Sequence, residues 1–225
     1  MLGFSAPELE AIALSLRVSL VATLVALPLA IAVAWLLARK RFPGRTALDI
    51  AVHLPLVLPP VVTGYALLVL FSRSGPLGAA LERIGLPVAF TWQGAAIAAG
   101  VMAFPLMVRA IRLAIETVDP GLEEAAGSLG ARPLRVFGTV TLPLALPGVL
   151  AGAVLGVAKA MGEFGATITF VAAIPGETLT VPSAIYAALQ VPGEEGAVVR
   201  LAVVAVGLAT GALVLSEWLA RRVRR

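Results

Sequence analysis

Few charged side chains interrupt the long apolar segments of this sequence, and these few are the first candidates for chemistry. Lys159 and Glu163 are four residues apart, so a helix would place them on one face. Thr167, in the stretch GEFGATITF, adds a hydroxyl group. Charges in apolar segments are costly and often functional, so anion binding is one hypothesis. We favour a local Lys159–Glu163 ion pair, and helix packing is an equal alternative for Thr167.

A proline-rich stretch, HLPLVLPPVVTGYALL, is the second candidate region. Pro55, Pro59 and Pro60 remove helix hydrogen bonds and bend helices, and Thr63 and Gly64 follow them closely. Backbone groups freed at membrane depth are tolerated only inside protein or beside a water-filled cavity. The stretch therefore either lines a path for a solute or forms a structural kink, and the residues alone leave both interpretations open.

The inventory of reactive side chains disfavours an enzyme. The chain has no cysteine, one histidine (His53) and two aspartates (Asp49 and Asp119). It contains no H-E-x-x-H, G-x-S-x-G or G-x-x-x-x-G-K-[ST] motif. We interpret His53 as a structural residue without carboxylate partners. We interpret Arg17 as an interfacial residue that reaches the membrane surface rather than an anion path. No catalytic residue, bound metal or cofactor is expected in this chain.

Composition indicates that these residues belong to a membrane protein. Of 225 residues, 60% are hydrophobic and 13% are charged, with a mean hydropathy of +0.99. Soluble domains have about 45–50% apolar and about 25% charged residues. The net charge of +4 does not favour nucleic-acid binding, because the basic residues lie next to the apolar segments. The predicted partner of these segments is a lipid bilayer.

Five apolar segments are close to the length of a membrane-spanning helix, which needs about 20 residues. Helices satisfy their own backbone hydrogen bonds in lipid, and nothing in the sequence is typical of barrel strands. We therefore predict an all-α membrane protein with one domain over residues 1–225. Its predicted spans are about 11–38, 51–71, 89–108, 140–160 and 199–218.

The distribution of lysine and arginine predicts the orientation. Most of the 17 basic residues lie within 39–45, 109–135 and 221–225. The positive-inside rule assigns these regions to the cytoplasm, with the N-terminus outside and the C-terminus inside. The less regular region 164–198 is then an outer-side excursion with a re-entrant part. The alternative, a sixth span, would place the basic tail outside.

The stretch DPGLEEAAGSLG, which begins at Asp119, is a polar interruption on the predicted cytoplasmic side. Asp119 is a typical N-cap, Pro120 fits the first helical position, and Gly130 fits the position just after a helix. A helix of about ten residues is not stable alone in water, so another surface must dock against it.

The side chains of this stretch suit close approach by a partner. Glu123 and Glu124 lie in the first turns, where the helix dipole favours acidic groups. Ala125 and Ala126 are strong helix formers of small volume. From these residues alone, an ordinary cytoplasmic loop that happens to be helical is an equal alternative to a docking element.

The spacing decides between these alternatives. Glu124-Ala125-Ala126, three residues, Gly130, nine residues, Val140, one residue and Leu142-Pro143 resembles the EAA…G…I-LP loop of ABC-importer permeases. That family usually has isoleucine where this chain has Val140. The resemblance implies a type I ABC importer permease fold, with a coupling loop over 116–142 that seats in a cleft of the ATPase. The implied coupling residues are Glu123, Glu124, Ala125, Ala126, Gly130, Leu142 and Pro143.

Further stretches extend the resemblance over nearly the whole chain. ARKRFPGR, HLPLVLPPVVTGYALL, FPLMVRAIRLAIE, GEFGATITF and IPGETLTVPSAIY are together similar to molybdate permease subunits of molybdate/tungstate importers. The sulfate/thiosulfate permeases are the nearest alternative family. The resemblance implies a permease homodimer in the inner membrane, two ATPase subunits that hold ATP and magnesium, and a periplasmic oxyanion-binding protein.

The resemblance also sharpens the alternatives for individual residues. It implies that the solute is an oxyanion, which is then the anion that Lys159 would attract if its role is functional. A secondary transporter would need ion sites at mid-membrane and often an internal repeat, neither of which is evident. A membrane anchor would need neither bent spans nor the loop spacing.

Overall fold

The computed structural model describes residues 3–223, which are helical and contain no β-strand. Prolines begin several of the helices, as expected for a residue that lacks a backbone N–H. The helices are α1 (Ala6–Arg39), α2 (Arg45–Val57), α3 (Pro60–Phe71), α4 (Pro76–Arg83), α5 (Trp92–Glu116), α6 (Pro120–Ser128), α7 (Pro133–Val136), a π-helix (Phe137–Thr141), α8 (Leu142–Met161), α9 (Gly165–Val171), α10 (Val181–Ala188) and α11 (Glu195–Val223).

Four helical stretches of the described chain are long and apolar enough to cross a membrane. They are Ala6–Arg39, Trp92–Glu116, Pro133–Met161 and Glu195–Leu215. A fifth crossing arises if α2 and α3 count as one span, although the two helices meet at a bend of 113°. The prediction of an all-α membrane fold is thereby confirmed. The second predicted span differs in form, because it is two helices rather than one bent helix.

Close packing of α8 against α5 forms the centre of the molecule. Gly148, Gly152 and Gly156 recur every fourth residue on α8, which lets the two helices approach closely. A Cβ atom on Gly152 would lie 3.0 Å from Cγ1 of Ile111 on α5. The long helix α1 packs against both, so α1, α5 and α8 form the scaffold that positions the remaining elements.

Polar contacts join α1 to the C-terminal part of the chain at the predicted outer end. Ser15 on α1 accepts a hydrogen bond from the backbone N–H of Val181 at 2.7 Å. Glu8 forms an ion pair with Arg200 on α11, with 2.9 Å between Oε1 and Nη2. Within the region 164–198, α9 and α10 have seven and eight residues, so neither is long enough to span a membrane.

Candidate functional site

The polar stretch at Asp119 is a helix with defined caps at both ends. The Asp119 carboxylate accepts a hydrogen bond from the N–H of Gly121 at 2.8 Å, which confirms the predicted N-cap. At the other end Gly130 has φ +86°, a conformation that favours glycine. The Ala131 N–H donates to the Ala126 carbonyl and the Gly130 N–H donates to the Gly127 carbonyl, as in a Schellman motif.

Helix α6 exposes apolar side chains that the sequence analysis did not single out. None of the nine residues of α6 is buried. Leu122 on α6, Leu129 at its end and Leu134 on α7 are all exposed, and Leu129 is 90% exposed. These leucines add exposed apolar side chains to an otherwise polar loop. The signal was present in the sequence as three leucines flanking the small residues.

The two adjacent glutamates of α6 face different surroundings. Glu123 forms an ion pair with Arg39 at the end of α1, with 3.0 Å between Oε2 and Nε. It also accepts a hydrogen bond from the hydroxyl of Thr141 in the π-helix. Glu124 is exposed, as is its neighbour Ala125. The structure therefore separates two residues that the sequence analysis grouped together.

The Leu142-Pro143 pair follows a widened turn. The N–H of Leu142 bonds to the carbonyl of Phe137, five residues back, which defines the π-helix. Pro143 has no N–H, and its ring would clash with the carbonyl of Thr139 in a regular α-helix. A π-helical turn contains one residue more than an α-helical turn, and we attribute its presence here to the clash that Pro143 would otherwise make. Such π turns are frequent at functional sites and kinks.

The proline-rich stretch surrounds the break between α2 and α3. Pro55 lies in the last turn of α2, Pro59 is the N-cap residue of α3, and Pro60 is its first residue. Thr63 and Gly64 are both buried on α3. Among the described residues, the Thr63 hydroxyl is one of two buried side-chain groups without a hydrogen-bond partner.

Helices α3 and α9 touch at their backbones. A Cβ atom on Gly64 would lie 2.5 Å from the carbonyl oxygen of Ala166. A Cβ atom on Gly165 would lie 2.7 Å from Cβ of Pro60. Each position therefore needs glycine. The structure brings the proline-rich stretch and the GEFG stretch together, although about a hundred residues separate them in sequence.

Lys159 and Glu163 form the ion pair that the sequence analysis favoured, with 2.9 Å between Nζ and Oε2. The Glu163 side chain is 2% exposed and the Lys159 side chain is 30% exposed. The other Glu163 oxygen accepts a hydrogen bond from the N–H of Ala166. Thr167 donates its hydroxyl to the carbonyl of Phe164 at 2.8 Å. These groups are thus engaged within the chain.

Two further predictions concern Arg17 and His53. Arg17 stacks on the ring of Trp92 at the start of α5, with its guanidinium carbon 3.8 Å from the ring centre. His53 does have a carboxylate partner, contrary to the sequence analysis, because Asp49 lies one helical turn earlier with Oδ1 3.2 Å from Nδ1. Asp49 also pairs with Arg112 on α5. His53 belongs to this network between α2 and α5.

Comparison with known proteins assigns the family. Residues 26–225 match the family described as binding-protein-dependent transport system inner membrane component. The chain belongs to this family. It is therefore a multi-pass permease of the inner membrane.

Two similar curated proteins match nearly the whole permease, and a third matches part of it. It is 57% identical over 216 residues to the molybdenum transport system permease protein ModB of Escherichia coli K12, which covers 96% of this chain and 94% of that protein. It is 55% identical to the protein of the same name in Haemophilus influenzae, over 97% and 96% of the two chains. It is 40% identical to the sulfate transport system permease protein CysT of Salmonella typhimurium, over 70% and 57%.

Solved structures show the same fold at lower identity. The permease superposes on a chain of the inward-facing MetNI methionine ABC transporter with a TM-score of 0.73 and 19% identity, over 99% of this chain and 100% of that one. A chain of a bacterial ABC transporter that imports alginate gives a TM-score of 0.71 and 22% identity, over 99% and 80%. The fold is that of type I ABC importer permeases.

Proposed function

We propose that this permease forms the membrane pathway of an ATP-driven importer that takes up molybdate from the periplasm. The observation that carries the proposal is the 57% identity, over 96% of the chain, to a molybdenum transport permease. The sulfate permease is less similar and matches only 70% of this chain, which favours molybdate over sulfate. Tungstate has the same tetrahedral dianionic form as molybdate and is a second substrate of the proposal.

Helix α6 and its flanking turns are the proposed docking element for an ATPase subunit. The exposed leucines on α6 and just after it would fill an apolar cleft, and Glu124 would meet basic groups at its rim. ATP and magnesium would bind to that partner, and this chain would hold no cofactor. Because α6 lies on the side with most basic residues, the proposal places it in the cytoplasm, together with the C-terminus.

The proposed assembly contains two copies of the permease, two ATPase subunits and a periplasmic oxyanion-binding protein. ATP binding would draw the ATPases together and displace α6. The π-helix and the start of α8 would carry that displacement into the membrane, and the pathway would open to one side at a time. The α3–α9 crossing would lie along this pathway, with the Lys159–Glu163 ion pair beside it.

Uptake of labelled molybdate tests the proposal. Cells without their own molybdate uptake would receive the permease with its cognate ATPase and binding protein. We expect uptake that unlabelled tungstate reduces and that disappears with a hydrolysis-deficient ATPase. Uptake independent of ATP would contradict the importer function. Uptake of sulfate without molybdate would contradict the substrate assignment.

Co-purification tests the docking element. Leu129→Asp should reduce the amount of ATPase that co-purifies with the permease at least about tenfold, since it places a charge in an apolar contact. Leu86→Asp is the matched control, because Leu86 is also an exposed leucine but lies in the connection after α4. Gly130→Asp should weaken docking too, because its φ of +86° is strained for aspartate. An intact complex with both α6-region variants would argue against docking at α6.

A further inference from the structure

We infer that Glu123 is a positioning residue rather than an ATPase contact. Its carboxylate ties α6 to the end of α1 and to the π-helix that begins the path into α8. A displacement of α6 would then reach α1 and α8 together. The inference rests on the proposed ATPase docking at α6, and it gives the neighbouring residues Glu123 and Glu124 opposite roles.

We call the contacts of Glu123 with Arg39 and Thr141 the Glu123 joint. Its first part is the guanidinium group of Arg39. Its Nε lies 3.0 Å from Oε2 of Glu123, and its Nη2 donates to the carbonyl of Val118 at 2.8 Å. Val118 lies in the connection between α5 and α6. One side chain from α1 therefore holds the connection and the first turn of α6 at once. The planar fork of arginine suits this double contact, whereas lysine would supply only a point charge.

The second part of the joint is the π-helix. The Thr141 hydroxyl donates to Oε1 of Glu123, while Nε of Arg39 lies 3.0 Å from Oε2 and 3.2 Å from Oε1, so the one carboxylate holds the π-helix and the end of α1 together. Thr141 is 1% exposed and directly precedes α8. The end of α1 also reaches the π-helix through Trp35, whose ring meets Phe137 edge-on with centroids 5.5 Å apart. The joint thus has a polar half and an aromatic half.

Burial distinguishes this joint from a surface ion pair. The side chains of Arg39 and Glu123 are 15% and 18% exposed, so water screens the pair only in part. Helix α6 buries none of its residues, so little apolar burial attaches it to the membrane helices. The side-chain contacts of Glu123 contribute to that attachment. Glu124, exposed on the same helix, has no corresponding contact among the described residues.

Purified complexes in proteoliposomes test the inference with the variants Glu123→Gln and Glu124→Gln. For Glu123→Gln we expect unchanged ATPase co-purification and continued ATP hydrolysis. We expect molybdate transported per ATP to fall at least about fivefold, the lower range of typical coupling between sites. For Glu124→Gln we expect the opposite, namely less bound ATPase with unchanged transport per ATP in the complexes that remain. Thr141→Val should resemble Glu123→Gln, and Thr141→Ser should resemble the unaltered chain.

Hydrogen exchange of the permease without its ATPase supplies a second measurement. Glu123→Gln should accelerate amide exchange in residues 120–128 and 137–141, whereas Glu124→Gln should not. Equal exchange in the two variants, or equal loss of ATPase from both, would overturn the inference. A complex of the unaltered chain that shows no ATP-driven uptake would instead overturn the proposed function. Hydrogen exchange would still decide whether the joint exists.

Discussion

Two regions of this permease hold their helices together in different ways. At the Glu123 joint, long polar side chains from α1 and α6 meet a hydroxyl group of the π-helix. At the crossing of α3 and α9, the backbone of Gly64 lies against the backbone of Ala166 with no intervening side chain. The first contact depends on charge and hydrogen bonding, and the second depends on shape.

This difference indicates which helix contacts can adjust when helices shift during transport. A long side chain can change rotamer and keep its partner while helices shift by a small distance. A backbone contact has no such freedom, because close-packed atoms transmit displacement directly. We therefore expect α3 with α9, and α5 with α8, to move as blocks. Because α1 packs against both α5 and α8, the joint at Glu123 then connects this block to α6.

The largest effect should come from breaking the block of α5 and α8. Gly148→Leu would force a side chain into the Cβ of Ala114, which cannot move without its helix. We expect loss of most monodisperse permease in size-exclusion chromatography. Gly207→Leu is the control, because no atom lies within 4 Å of a Cβ at that position on α11. Normal yield of the Gly148 variant would show that α5 and α8 can separate.

A smaller change at the second block tests shape alone. Gly64→Ala adds one methyl group that would lie 2.5 Å from the carbonyl oxygen of Ala166, at a cost of about 1–3 kcal/mol. We expect reduced thermal stability and reduced uptake with normal ATPase co-purification. Gly100→Ala on α5 is the control, since its nearest contact would be an ordinary 3.6 Å. Equal thermal stability and uptake of the two variants would show that the close crossing of α3 and α9 is not needed for either property.

The Lys159–Glu163 pair lies beside the second block and tests whether charge matters there. Lys159→Met leaves a buried carboxylate unpaired, and we expect a loss of stability below the ~3–5 kcal/mol of fully buried pairs because Lys159 is 30% exposed. Adding Glu163→Gln removes that charge and should restore stability. If uptake by the double variant also recovers, Lys159 has only a structural role. A stable double variant without uptake would assign Lys159 to the anion path.

The smallest effect is expected at the interfacial end of α5. Arg17→Gln removes a cation–π contact with Trp92 worth about 0.5–2 kcal/mol. We expect a small decrease in melting temperature and uptake close to normal. Arg17→Lys should restore most of that stability because it keeps the charge over the ring. A large loss of uptake in Arg17→Gln, with stability intact, would reveal an anion-path role instead.

Much of the fold was predictable because its signals are local. The long apolar segments, the Asp119 cap and the glycine after α6 each depend on neighbouring residues. The glycines of α8 could also have been found, since their spacing of four is a known signal for helix packing in membranes. The break of 113° between α2 and α3 was predicted only as a bend, because adjacent prolines weaken a helix without setting its new direction.

The candidate site was less predictable because its contacts are distant in sequence. Glu123 and Arg39 are 84 residues apart, and neither residue carries a motif that names the other. The pair of Asp49 with Arg112 on α5 depended on the rotation of α2 toward α5, which the sequence does not give, whereas the i,i+4 pair of Asp49 with His53 is a local signal that was missed. Adjacent residues on a helix point about 100° apart, so the docking of α6 alone separates Glu123 from Glu124.

The sequence by itself determined that this protein folds in a membrane, the family to which it belongs and the position of the polar helix α6 between apolar segments. Those properties follow from composition and spacing along one chain. Only the tertiary structure decided which glutamate faces inward, which glycines touch a neighbouring backbone and which hydroxyl groups are already engaged. The physical reason is that burial and hydrogen bonding belong to pairs of elements. Their relative rotation is set when helices pack, not when they form.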